Sequence, residues 1–308
     1  MFMRWDDKRY HSLNYELRKV FGQKVFKLSL DGDFTCPNRD GTIGRKGCIF
    51  CSEEGAGEFA APKILSICEQ IRQQKEFLSL KWPKGKYIAY FQNFTNTYAS
   101  VKDLERKYRE ALNCEGVVGL AIATRPDCLP EDVLKLLEQL NQETYLWVEL
   151  GLQTIHEATA RFIRRGYSLD YFEEKLQDLK ERRIRTVIHL IMGLPGETKE
   201  DMVASIQYIS KCGIDGVKLH LMHILKNTDL CQLYTQSDFP LLSQEEYISL
   251  IVDALELLPP EVVIHRMTGD GSKDLLVGPR WSLNKRAVLN GIEQELKKRN
   301  SFQGCKRK

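Results

Sequence analysis

Six times in succession, a short apolar run is followed by a longer stretch whose apolar residues recur at helical spacing. The runs at 25–30, 87–91, 117–123, 145–150, 186–192 and 216–223 have strand length and are rich in β-branched and aromatic residues. Helical faces follow them. Ile64, Ile67, Cys68, Ile71 and Leu78 mark one over 63–79, and Leu104, Tyr108 and Leu112 mark the next. Val133, Leu137 and Leu140 follow Pro130; Phe172, Leu176 and Leu179 follow Ser168; Met202, Ile206 and Ile209 follow Thr198; after a less regular stretch over 224–238, Tyr247, Leu250, Ile251, Ala254 and Leu258 follow Ser243. Ser100-x-x-Asp103, Thr198-x-x-Asp201 and Ser243-x-x-Glu246 read as helix starts, because a hydroxyl and an acid three residues apart satisfy free N–H groups at a helix N-terminus. Repeated strand–helix units imply parallel strands joined by right-handed crossovers. Six units are too few for a closed eight-unit barrel. The expected fold is therefore α/β, an open (β/α)6 partial TIM-like barrel over 25–240. A short extension over 1–24 precedes it. A C-terminal extension over 241–308 holds a last strand at 262–266 and a basic helix at 284–299.

The first strand runs into LSLDGDFTCPNRDGTIGRKGCIFC, residues 28–51. Asp31-Gly32, Pro37-Asn38, Asp40-Gly41, Gly44 and Gly47 break it into turns, so it reads as a loop. Eleven residues separate Cys36 from Cys48, and two separate Cys48 from Cys51. Three thiols on one loop admit three readings. They are buried thiols without metal, a zinc site with a distant fourth ligand, or an iron–sulfur cluster whose fourth iron is open. No paired fourth Cys or His follows nearby.

CPNRDGTIGRKGCIFC resembles the cluster loop of a radical S-adenosylmethionine (SAM) subfamily, the YhcC/YtqA-like (MnmL-like) proteins. These are similar to the radical-SAM domain of the Elongator catalytic subunit and to oxygen-independent coproporphyrinogen oxidases. Their first cysteine gap is longer than the three residues usual in radical-SAM enzymes, as it is here. The resemblance implies that Cys36, Cys48 and Cys51 hold a 4Fe-4S cluster and that SAM chelates the fourth iron. One electron, from a donor such as flavodoxin or ferredoxin, then cleaves SAM to methionine and a 5′-deoxyadenosyl radical, which abstracts hydrogen from an unreactive carbon.

The same resemblance supplies expectations for the remaining strand ends. Gln92, Asn93 and Thr95 stand where many relatives place Gly-Gly-Glu to hold the SAM amino group. Thr124-Arg125-Pro126-Asp127 also occurs in the Elongator catalytic subunit, so Arg125 is expected to face the site, although Ala123 replaces a commonly acidic residue. Glu149 sits within an apolar run, where a carboxylate without partners is expensive. Within ELGLQT, the likeness implies that Gln153 binds the SAM ribose. It implies that Arg165, twelve residues on, binds the SAM carboxylate, to which a guanidinium can donate two parallel hydrogen bonds. His189 takes a place where relatives often carry a ribose-binding aspartate, and Gly193 opens the Gly-Leu-Pro-Gly turn that supports adenine. Lys218 and His220 alternate with Val217, Leu219 and Leu221, giving a polar face that suits catalytic residues in a substrate site. His223 is expected on the opposite face.

Net charge is +3, with +4 over residues 1–27, +7 over 280–308 and −8 between them. Basic ends fit a polyanion such as RNA, and fit equally an ordinary solvated helix and tail. The helix over 284–299 and Lys306, Arg307 and Lys308 are the expected RNA contacts. No apolar run reaches the ~18–20 residues needed to cross a bilayer, and the charged N-terminus lacks the apolar core of a signal peptide. A cytoplasmic protein is expected, so its nine cysteines are not read as a disulfide framework. Cys68 reads as core and Cys305 as free. The expected activity is radical-SAM modification of the wobble uridine C5 side chain of tRNA, on the route from carboxymethylaminomethyl to aminomethyl and methylaminomethyl forms. A radical-SAM enzyme of small metabolites or peptides, and a non-enzymatic zinc-bearing RNA-binding protein, are the alternatives.

Overall fold

The computed structural model describes residues 5–52, 55, 63–80, 85–237, 239–269 and 271–307. Its strands are β1 (Val25–Leu30), β2 (Lys86–Phe91), β3 (Val117–Thr124), β4 (Tyr145–Gln153), β5 (Arg185–Met192), β6 (Gly216–Leu221), β7 (Ile224–Leu225), β8 (Val263–Arg266) and β9 (Leu276–Gly278). Its helices are α1 (Leu13–Phe21), α2 (Ile67–Ser79), α3 (Val101–Leu112), α4 (Glu131–Glu143), α5 (Glu157–Phe162), α6 (Leu169–Glu181), α7 (Lys199–Ile209), α8 (Asp229–Ser237), α9 (Gln244–Leu257) and α10 (Lys285–Lys298).

The first six strands pair in chain order and in parallel. β8 then adds a seventh parallel strand against β6, in register Gly216↔Val263 and Lys218↔Arg266. The sheet curls into a seven-stranded half-barrel, one strand more than the six-unit reading. β8 is reached only after α8 and α9, so its pairing is a contact between segments distant in sequence, which local periodicity does not report. The N-terminal extension spans the other side: Ile264 N–H donates to His11 O at 2.7 Å, and His11 N–H to the buried Gln303 Oε1 at 2.8 Å.

Cap chemistry sets most helix starts. Ser66 with Glu69, Thr198 with Asp201, and Ser243 with Glu246 form reciprocal capping boxes. The first of these starts α2 at Ile67 rather than at 63 and leaves Ile64 90% exposed, outside the apolar face assigned to it. Cys68 is also exposed rather than core. The stretch 224–238, read as irregular, contains α8, whose Leu230 N–H donates to Ile49 O at 2.9 Å and so docks on the cysteine loop. Gly57, Pro62, Asp270 and Lys308 lie outside the described residues.

The larger core packs the outer helices on the sheet, with Leu28, Leu30, Phe91, Leu120, Ile122, Leu150 and Leu190 buried beneath them. A second cluster of Leu17, Val25, Ile88, Tyr90, Ala121, Trp147 and Val187 fills the bottom of the curl. The opposite end, where parallel strands deliver their C-termini, stays open for a site. Among the described residues, no helix is long and apolar enough to cross a membrane.

Candidate active site

The open end holds a cavity of about 280 Å³. The loop after β1 forms one side of it, anchored by Asp31 at its root. The Asp31 carboxylate accepts from Asn93 Nδ2 at 2.6 Å and from Asp33 N–H at 2.8 Å. Gln70 on α2 clamps the Asp31 backbone, accepting from N–H and donating to C=O at 2.9 Å each. Further along, Arg39 N–H donates to Cys36 O at 2.8 Å and Gly47 N–H to Asn38 O at 2.7 Å. A Cβ on Gly44 would stand 2.7 Å from Asn38 Oδ1 and would crowd that amide. The Asn38 amide donates to Arg164 O at 2.6 Å and points at Cys48 Sγ at 3.6 Å.

Cys36, Cys48 and Cys51 are half-buried free thiols, and all three line the cavity. A hydrogen bond from Cys51 lowers the Cys48 thiol to about 7; Arg125, Asn38 and Arg39 add to the effect against burial. Cys51, as the donor, is raised well above an ordinary thiol. The loop thus draws the Cys48 thiol toward the thiolate, the form that binds metal. Among the described residues, no three His, Cys, Asp or Glu side chains converge on a single-ion position. Three thiols spread around one loop suit a multi-iron cluster, whose irons take one thiolate each, better than zinc, which draws four ligands to one point.

Gln92 and Thr95, beyond β2, line the cavity, whereas Asn93 is buried and turned to Asp31. Arg125 also lines it, but its guanidinium is already bidentate to Asp127 at 2.9 and 2.8 Å and lies over Tyr167 at 4.9 Å. Gln153 reaches the cavity from a left-handed backbone, φ +67°, at a register shift that ends β4. Arg165 is buried beside it and donates to Tyr167 O at 2.9 Å, Leu152 O at 3.2 Å, Thr154 O at 2.7 Å and Glu157 Oε1 at 2.8 Å. Four of its five N–H donors are therefore engaged within the chain, so an incoming carboxylate meets one free donor rather than a two-pronged fork. Gly193, φ +88°, donates its N–H to Met202 Sδ at 3.0 Å and lies outside the cavity wall.

The floor is ionic. Glu149 is fully buried, and its carboxylate accepts from Tyr90 Oη at 2.8 Å and Trp147 Nε1 at 2.9 Å. It also meets His189 Nε2 at 2.9 Å and the Lys218 ammonium. Burial alone would raise Glu149, but Lys218, His189 and Lys27 outweigh it and hold the carboxyl well below its ordinary range. His189 is pushed down to about 4 by burial and by Lys218. Lys218 lies beneath the cavity surface, whereas His189, His220 and Arg266 line it. His223 lines it too, contrary to the alternation reading, because β6 ends at Leu221 and period two no longer governs the chain there.

Tyr90, Trp147, Tyr167 and Arg266 escaped the sequence reading. A signal for Tyr90 was present: with the strands in parallel register, Ala123↔Glu149, Gly151↔His189 and His189↔Lys218 place the polar residues of three strands on one inner face, and Tyr90 opposite Ala121 continues it. The basic ends are less available than their charge suggested. Arg299 pairs with Asp253 at 2.6 Å and Glu295 at 2.8 Å, Lys306 with the buried Glu256 at 2.5 Å, and Arg307 with Glu261 at 3.3 Å. Arg286 and Lys297 on α10 are exposed.

The Radical SAM superfamily model matches residues 39–209, and the Radical_SAM C-terminal domain model matches 214–298. Over 298 residues the chain is 48% identical to YtqA of Bacillus subtilis, covering 97% of this chain and 92% of that protein. It is 28% identical over 156 residues to the tRNA uridine(34) acetyltransferase of Methanocaldococcus jannaschii, covering 50% of this chain and 28% of that protein. Its fold is similar to that of the archaeal Elp3 of Methanocaldococcus infernus, with a TM-score of 0.68 at 19% identity, over 91% of this chain and 64% of that one. The chain belongs to the radical SAM superfamily, in its YtqA-like branch, and its cofactors are those of the superfamily, a 4Fe-4S cluster and S-adenosylmethionine.

Proposed function

We propose that Cys36, Cys48 and Cys51 hold the cluster, that SAM lies against the strand ends of this cavity, and that the enzyme modifies the C5 side chain of a tRNA wobble uridine. The observation that carries the cofactor assignment is the shared wall: three free thiols, one lowered to about 7, open on the same space as Gln153, Arg125 and His189. When bound together and given one electron, the two cofactors supply a 5′-deoxyadenosyl radical able to take hydrogen from an unactivated carbon.

The chain's own residues position and enclose. Asn38 ties Cys48 to the backbone at Arg164, so the cysteine loop and the chain after α5 move as one. Arg165 locks the ends of that segment through its bonds to Leu152, Thr154 and Tyr167. We assign it to shaping the SAM pocket, with one N–H left for the amino-acid end. Gln153 and His189 face the ribose, and Gln92 and Thr95 the amino group. Glu149, braced by Lys218 and Tyr90, fixes the His189 ring by accepting at its Nε2. An electron donor such as flavodoxin or ferredoxin and a cytoplasmic setting belong to the same reading.

Likeness over half the chain to a tRNA uridine(34) acetyltransferase supports the tRNA assignment, and the carboxymethylaminomethyl-to-aminomethyl route is the leading reaction. Nucleosides from the tRNA of a deletion strain test it by mass spectrometry. Accumulation of the carboxymethylaminomethyl form supports the reading. An unchanged set of C5-modified uridines rejects it and leaves a small metabolite or peptide as substrate.

A further inference from the structure

Across the cavity from the cysteine loop, β6 delivers His220, and the residues just beyond it deliver His223. Both line the cavity, and Nε2 of each is buried with no hydrogen-bond partner among the described residues. A buried polar atom left without a partner is costly, so two in one wall call for a ligand. The loop after β8 is shaped around His223. A Cβ on Gly269 would stand 2.6 Å from its Nε2, and one on Gly271 2.9 Å from its Nδ1. Glycines there leave room for the imidazole. His220 in turn packs on His189, with ring centroids 5.0 Å apart.

Among the described residues, the charge acting on this pair is mostly positive. Lys218 and Arg266 act on His220, and Lys285 and Arg266 on His223. Glu149 is the acidic group among these influences, and its two oxygens already meet four partners. Burial, with these cations, pushes His223 down to about 4 and His220 well below its ordinary value. Both rings are therefore neutral near pH 7, and each neutral imidazole carries one N–H donor.

We propose that His220 and His223 form a two-imidazole subsite for an anionic oxygen group of the substrate, a carboxylate on the side chain being modified. This rests on the wobble-uridine reading above. A carboxylate at the base is favoured over a backbone phosphate because a cavity of about 280 Å³ admits a side chain more readily than a phosphodiester strand.

The test uses the full chain and two anticodon stem-loop RNAs that differ only at the wobble uridine, one with C5-carboxymethylaminomethyl and one with C5-aminomethyl. Wild type should bind the carboxylate-bearing RNA about tenfold more tightly, the size expected of hydrogen bonds to a charged group. His220→Phe/His223→Phe should abolish that preference. Gly269→Ala keeps both imidazoles but crowds His223, and should reduce the preference as well. Thermal melting confirms that each variant is folded. Equal weakening of both RNAs would put a phosphate on the imidazoles and overturn the carboxylate assignment. An unchanged preference in both variants overturns the subsite. Should wild type ignore both RNAs, the tRNA reading fails, and the subsite is judged on the free nucleoside 5-carboxymethylaminomethyluridine: shifted His220 and His223 imidazole NMR signals uphold it, and unmoved signals overturn it.

Discussion

The two sides of the cavity are built on opposite principles. On the floor, Tyr90, Trp147, His189 and Lys218 converge on the single carboxylate of Glu149, which is wholly inside the protein. On the rim, the cysteine loop is held by backbone and side-chain hydrogen bonds, while its three thiols form no disulfide and open on the cavity. The floor satisfies itself; the rim is shaped for something to be added. Substitution in the floor should therefore cost stability, and substitution in the rim should cost cofactor with little effect on the fold of the cofactor-free chain.

The largest effect should come from Glu149→Ala, which strands the buried Lys218 ammonium without its counter-charge. A loss of about 3–5 kcal/mol in unfolding free energy is expected from denaturant titration. Cys48→Ala, by contrast, should leave that titration nearly unchanged. Equal costs at the two positions would break the contrast.

Acid should separate the sides next. Glu149 has a depressed folded-state pKa, so its contribution is present above the ordinary glutamate value and is lost as pH falls through the lower folded one. His189 titrates near 4 when folded and near 6.5 when unfolded, so the unfolded chain takes up its proton first, and stability falls as pH drops between those values. His189→Gln should flatten the stability–pH curve between about 6.5 and 4, and an unchanged slope would contradict the assignment.

A smaller effect concerns the rim alone. Cys51→Ala removes the donor that most lowers Cys48, so the midpoint for alkylation of Cys48 in the cofactor-free chain should move from about 7 toward the ordinary thiol value of 9.0. The smallest lies on the surface. Arg307→Ala removes an ion pair whose two partners are both exposed, so melting should shift little. On the proposed tRNA reading, Arg286→Ala/Lys297→Ala should weaken binding of tRNA modestly and reduce its salt dependence, whereas Arg307→Ala, already paired with Glu261, should do less.

The rim was far more legible in the sequence than the floor. Cysteine spacing and turn-forming residues are local signals, and the capping boxes that start α7 and α9 are complete within four residues; the Ser66–Glu69 box of α2 is as local, yet apolar spacing places that helix start at 63. Glu149 stood out because a carboxylate in an apolar strand demands partners. Which partners depended on the register of four strands, and Tyr90 in an aromatic run gave no sign of polarity by itself. β8 joined the barrel across an interval no periodicity spans. The other limits were of the same kind. The resemblance gave Arg165 a two-pronged expectation, and most of its donors close on nearby carbonyls that sequence does not locate. His223 was misassigned because alternation was extended past the end of β6.

The central claim, that the cysteine loop carries an open iron–sulfur cluster working on SAM, is tested most directly by anaerobic reconstitution of wild type beside the Cys36→Ala/Cys48→Ala/Cys51→Ala variant. Iron, sulfide and 5′-deoxyadenosine are measured after reduction with SAM. Wild type should bind iron and sulfide and release 5′-deoxyadenosine, and the triple variant should do neither while remaining folded. Retention of both the metal and the cleavage in the triple variant would contradict the account.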